Sequence, residues 1–94
     1  MADRPAWTFI TSHGFMLLAV SRNSDATVRE LAEQVGVTER QAHRVLSDLA
    51  AEDYIVRERV GRRNRYRIND DAPMRLQSLS HHSIGELLTA LRAP

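Results

Sequence analysis

The chain is 94 residues long, with 13 basic residues against 12 acidic ones and no cysteine. That length holds one domain with a marginal core, and the missing thiols exclude a disulfide framework, a Cys-type zinc finger and cysteine chemistry. Aromatic residues make up 5%, too few for a single-strand stacking platform, and the longest apolar run, Phe15 to Val20, is far short of the roughly 20 residues a membrane helix needs.

The charge is unevenly placed. Every basic residue is arginine, and residues 54–68 carry Arg57, Arg59, Arg62, Arg63, Arg65 and Arg67 against Glu58 alone. That segment is +5 and the remaining chain −4. A local basic stripe suits a polyanion, and a guanidinium fork suits phosphate or guanine. Solvated or acid-paired strand arginines are the plainer alternative.

Residues 1–5 read as a disordered start. Thr11, Ser12, His13 and Gly14 interrupt the apolar stretch that follows, and Asp3 accompanies Arg4, so no secretion signal is expected and the protein is read as cytoplasmic. Ala6 to about Val20 has helical periodicity. Trp7, Ile10, Gly14 and Leu17 form one stripe, and Phe9, His13, Met16 and Val20 a second. A helix apolar on two faces has its own core and a partner to cover.

Ser21 to Asp25 is a loop by composition. Thr27 and Glu30 form a capping box, followed by Val28, Leu31, Ala32 and Val35 at helical spacing, and Gly36 ends that helix. Thr38 and Gln41 form a second box. Ala42, Val45, Leu46 and Leu49 then recur at i, i+3, i+4 and i+7 on a helix reaching about Glu52. Two capped helices joined tightly at Gly36 make a helix-turn-helix, with an ordinary helical hairpin as the alternative.

A β-rich run follows from Tyr54 to Val60, with a turn over Gly61 to Asn64. Arg65 to Ile68 alternates charged and apolar residues as a half-buried strand does. These runs predict a hairpin with an arginine-rich tip, ended by Asn69 to Pro73. Met74 to His82 is ambiguous. Ser83 and Glu86 form a third capping box, opening a helix with Ile84, Leu87, Leu88 and Leu91 along one stripe.

A helix, a helix-turn-helix and a hairpin bearing Gly61-Arg62-Arg63-Asn64 resemble the winged helix-turn-helix domains of small prokaryotic transcription regulators, nearest the MarR-like and ArsR-like group. The likeness covers about residues 24–69. It implies an α+β, mostly helical fold: a three-helix core plus β-hairpin wing over residues 6–72, and an additional C-terminal helix within a dimerisation extension, residues 73–94. It further implies a homodimeric regulator, a repressor, bound sequence-specifically to double-stranded DNA. Recognition helix 38–52 would enter the major groove and wing 57–67 would reach the backbone or minor groove. The Cys pair of many ArsR-type metal sensors is missing, and the resemblance leaves any small-molecule effector unassigned.

Candidate contacts follow from helix geometry. Glu39, Arg40, His43, Arg44 and Ser47 lie opposite the apolar face, Thr38 caps the helix near a phosphate, and Gln41 or His43 adds base or phosphate contacts. Arg40 and Arg44, four apart, are each suited to a bidentate guanine contact that discriminates by about 1–3 kcal/mol. Glu39 favours the helix dipole or accepts from cytosine. Arg62 and Arg63 lead the wing set, with Arg59, Asn64 and Arg65 beside them. Asn64 caps the turn or touches a phosphate, Arg65 and Arg67 face outward together, and Arg57 and Arg59 alternatively pair with Glu52, Asp53 or Glu58. The surplus apolar residues Phe9, Met16, Ile84, Leu87, Leu88 and Leu91 are the dimerisation candidates, unless the last helix folds back on the first.

Two other classes compete. One is a winged helix used for protein contacts, which the hairpin arginines oppose. The other is a metal-responsive regulator: of the four histidines, His13, His43, His81 and His82, the last two adjoin each other and His82 is four residues from Glu86, so that with Asp70 or Asp71 three or four ligands could assemble at a dimer interface. No cofactor is expected. An enzyme is not expected either, since the chain has no phosphate-binding glycine loop and no serine or cysteine nucleophile motif.

Overall fold

Threonine caps decide where the first three helices begin. In the computed structural model, which describes residues 6–92, α1 spans Ser12–Arg22, α2 Val28–Val35 and α3 Glu39–Ala51. Two strands, β1 Ile55–Val60 and β2 Arg63–Ile68, precede a 3-10 turn at Gln77–Leu79 and the last helix, α4 Ile84–Arg92. The expected disorder at residues 1–5 lies outside the described residues.

The capping boxes of α2 and α3 are both closed. Thr27 N–H donates to Glu30 Oε1 at 2.8 Å and Glu30 N–H to Thr27 Oγ1 at 3.1 Å. Thr38 N–H donates to Gln41 Oε1 at 2.9 Å and Gln41 N–H to Thr38 Oγ1 at 3.1 Å. Such caps contribute about 1 kcal/mol each. Between them Gly36 takes φ 83° and ψ 36°, the left-handed region that ends α2. The N–H groups of Gly36 and Val37 both return to the Ala32 carbonyl, so the turn is fixed from inside.

The first helix starts later than its periodicity predicts. Thr11 caps it, with its hydroxyl accepting from Gly14 N–H, and Thr8 Oγ1 donates to the Ile10 carbonyl at 2.7 Å. These local side-chain bonds compete with a helix over residues 6–10, and that segment is bent chain. Trp7 and Phe9 therefore do not extend the α1 stripes and stand out in solvent, 77% and 92% exposed.

The strands pair antiparallel from Ile55↔Ile68 to Val60↔Arg63. The connection is two residues, Gly61 and Arg62, shorter than the four-residue turn expected. Gly61 at φ 62° supplies the positive φ at the first turn position that a tight hairpin connection of this kind requires. Arg63 and Asn64 are thereby strand residues. Along the outer edge of β2, Tyr66 N–H donates to the Ser24 carbonyl, which places the α1–α2 loop beside the hairpin.

One core joins these elements. Met16, Leu17 and Val20 of α1 meet Leu31 and Val35, Leu46 and Leu49, Ile55 and Tyr66, and Ile84 and Leu88 of α4. Ser83 closes the third capping box with Glu86, and a Pro73↔Ser83 bridge closes the segment between the hairpin and α4. The α4 helix thus packs against α1 of its own chain, and its buried residues belong to the same core as the winged segment.

Candidate nucleic-acid interface

The amphipathic pattern of α3 fixes what it presents to solvent. Ala42, Val45, Leu46 and Leu49 are buried, and Glu39, Arg40, Gln41, His43, Arg44 and Ser47 are exposed, the division expected from the spacing. Small side chains at Ala32 and Ala42, both buried, let α2 and α3 cross closely. The Arg40 and Arg44 side chains have no ion pair or hydrogen bond among the described residues. Thr38 and Gln41 are partly committed to the cap. The Gln41 amide N–H groups and the Thr38 hydroxyl proton remain as donors. Asp48, lower on the same helix, meets His13 Nε2 at 2.9 Å and ties α3 to α1.

The wing is less uniform than its composition implies. Cross-strand register puts Val56, Glu58, Val60, Arg63, Arg65 and Arg67 on one face and Arg57, Arg59, Asn64 and Tyr66 on the other. On the first face Arg67 Nε lies 2.9 Å from Glu58 Oε1 and Arg65 Nε lies 3.2 Å from Asp25 Oδ1. Arg63 donates to the Asp25 backbone carbonyl. On the second, Arg57 sits over the Tyr66 ring, 5.8 Å from its centroid, and Arg59 Nε donates to the Gly61 carbonyl at 3.1 Å. Arg62, at the tip, has no ion pair or hydrogen bond among the described residues.

Glu52, considered as a partner for Arg57 or Arg59, instead lies 3.6 Å from Arg75. Asp25, the partner of Arg65, carries no signal in the sequence. It is 40 positions from Arg65 on a loop, and no periodic signal joins them.

Glu30 titrates below the ordinary carboxylate range because Thr27 donates to it from backbone and hydroxyl, with the Arg63 guanidinium assisting. Glu86 is lowered by His82, whose Nδ1 lies 2.8 Å from Oε2, and by the Ser83 N–H. His81 adjoins His82 with ring centroids 4.1 Å apart. Among the described residues no three histidine or carboxylate groups converge into a metal-binding set. His13 and His43 lie on α1 and α3, and Asp70 is bonded through its backbone carbonyl to Gly85 N–H.

The dimerisation candidates divide. Met16, Ile84 and Leu88 are 0–1% exposed within the protomer, so they are core rather than surplus surface; α4 folding back onto α1 consumes them. Leu87 and Leu91 are half-buried, and Phe9 is exposed. Phe9 and Leu87 border an apolar cleft of about 290 Å³ floored by Leu17, Leu49 and Ile84.

A helix-turn-helix whose second helix turns an arginine-bearing face outward beside a two-stranded hairpin defines a winged helix domain. The family model for the MarR family matches residues 10–65, more than half of the chain and the stretch from before α1 into β2. The chain belongs to the MarR family, a family of DNA-binding transcription regulators rather than enzymes. No curated protein matches it significantly. No described helix is long and apolar enough to cross a membrane.

Proposed function

We propose that the protein is a cytoplasmic, homodimeric repressor that binds double-stranded DNA sequence-specifically, with α3 in the major groove and the wing on the backbone or adjacent minor groove. The observation that carries this reading is the pair Arg40 and Arg44. They stand one turn apart on the exposed face of α3, uncommitted among the described residues, near the helix end that enters a groove. The closed Thr38 box supports it by holding the N-terminus of α3, where free N–H groups favour a phosphate. Exposed Phe9 with half-buried Leu87 and Leu91 is the surface available for a second copy. Blocking of a promoter by the occupied operator is the proposed route to repression.

The test is fluorescence anisotropy of the purified protein with duplex DNA over a salt series. Affinity falls linearly on a log–log plot, by about 0.9 for each phosphate neutralised. Arg62→Ala reduces that slope by about one contact, whereas Arg40→Ala or Arg44→Ala loses about 1–3 kcal/mol on a selected operator and relaxes base preference. Absence of duplex binding at low salt overturns the proposal in favour of a winged helix used for protein contacts.

A further inference from the structure

Charge allocation on the wing has a pattern. In the hairpin register Glu58 stands opposite Arg65, the arrangement in which a cross-strand ion pair is expected. The Glu58 carboxylate instead takes Arg67 on the diagonal at 2.9 Å. Arg65 is left to reach off the sheet to Asp25 in the α1–α2 loop at 3.2 Å. Two residues earlier on the same face, Arg63 also turns to that loop and donates to the Asp25 carbonyl.

The loop is built to receive them. Asn23 Oδ1 accepts from Asp25 N–H at 3.1 Å, the Asn23 carbonyl accepts from Ala26 N–H at 3.3 Å, and Ala26 is buried. Asp25 is therefore presented from a turn anchored in the core. Ser24 alongside accepts from Tyr66 N–H of β2. Arg63 is also near enough to Glu30 to favour its charged form.

We infer that Asp25 is the anchor of the wing, and that Arg63 and Arg65 are positioning residues which dock the hairpin on the α1–α2 loop rather than phosphate contacts. The inference rests on the DNA-binding reading for its consequence, but the anchoring itself does not. The guanidinium groups left for DNA on the hairpin are Arg62 at the tip with Arg57 and Arg59 on the other face. The wing's orientation toward DNA is then set by a loop 40 residues away in sequence.

The test has two readouts on the full chain. The first needs no DNA: amide hydrogen exchange at Tyr66, whose N–H spans the joint. Asp25→Arg or Arg65→Asp alone sets two like charges together and speeds exchange by about fivefold, and the double exchange of charges restores it, at the scale of one exposed ion pair. The second is the salt slope of duplex binding. Arg65→Ala leaves the slope as in the parent, while Arg62→Ala lowers it by about 0.9. Unchanged Tyr66 exchange in Asp25→Arg overturns the anchor, as does a slope in Arg65→Ala reduced as much as in Arg62→Ala. Failure of the parent protein to bind duplex overturns the DNA-binding reading alone, and the exchange measurement still decides the anchor.

Discussion

Replacing Leu88 with alanine asks whether α4 belongs to its own protomer. Leu88 is 1% exposed in the cluster that includes Met16, Leu17 and Ile84. Truncating a leucine so buried removes its transfer free energy and leaves a cavity, about 2–5 kcal/mol in total. In a domain of this size each kcal/mol lowers the midpoint by roughly 4–8 °C, so the loss is at least about 8 °C. Thermal melts by circular dichroism at two protein concentrations measure it. A cavity within one chain lowers the midpoint equally at both, whereas a lost subunit contact lowers it more in dilute solution. Phe9→Asp is the companion: at 92% exposure it leaves the stability of the protomer within about 0.5 kcal/mol and reduces the sedimenting mass. A Leu88→Ala protein of unchanged midpoint and halved mass would refute the reasoning, because α4 would then cover a partner instead of α1.

Two further outcomes follow from buried and titrating groups. Tyr54 is buried with its hydroxyl unpartnered among the described residues, so Tyr54→Phe raises stability by about 1 kcal/mol in urea unfolding, and a loss of that size shows that the hydroxyl has a partner. Glu30 and Glu86 have folded values held below the ordinary carboxylate range, so the stability they add is complete above about pH 5 and disappears as pH falls through those lowered values. Acid titration of helicity shows the loss, and Glu30→Gln with Glu86→Gln makes the curve shallower in that range; an unaltered curve in the double variant rejects the assignment.

What could be read from sequence is what depends on residues three or four apart. Thr27 with Glu30, Thr38 with Gln41 and Ser83 with Glu86 each close a bond pattern confined to one turn, and Gly36 answers a local need for positive φ. The buried and exposed faces of α3 follow from the same period. The helix α1 starts later than its periodicity predicts because the spacing of Trp7, Phe9 and Ile10 carries no information on the competing hydroxyl bond from Thr8 to Ile10. The apolar stripe of α4 was legible, but amphipathicity states only that a face must be covered. That this face is covered by α1 of the same chain is a matter of tertiary path, on which helical period is silent.

Electrostatics shows the same division at the interface. Summed along residues 54–68, strands and turn together, the wing carries +5, and each arginine looks equivalent. In space Arg67 is neutralised by Glu58 and Arg65 by Asp25, while Arg57 lies over Tyr66. A phosphate can replace an exposed carboxylate only by overcoming a partner already 2.9–3.2 Å away, although each such pair is worth no more than about 1 kcal/mol. Arg62, Arg40 and Arg44 face no such competition among the described residues. On the proposed DNA-binding reading, counterion release per arginine is therefore expected to be greatest at the tip of the hairpin and on α3, the two places that reading brings together on one duplex.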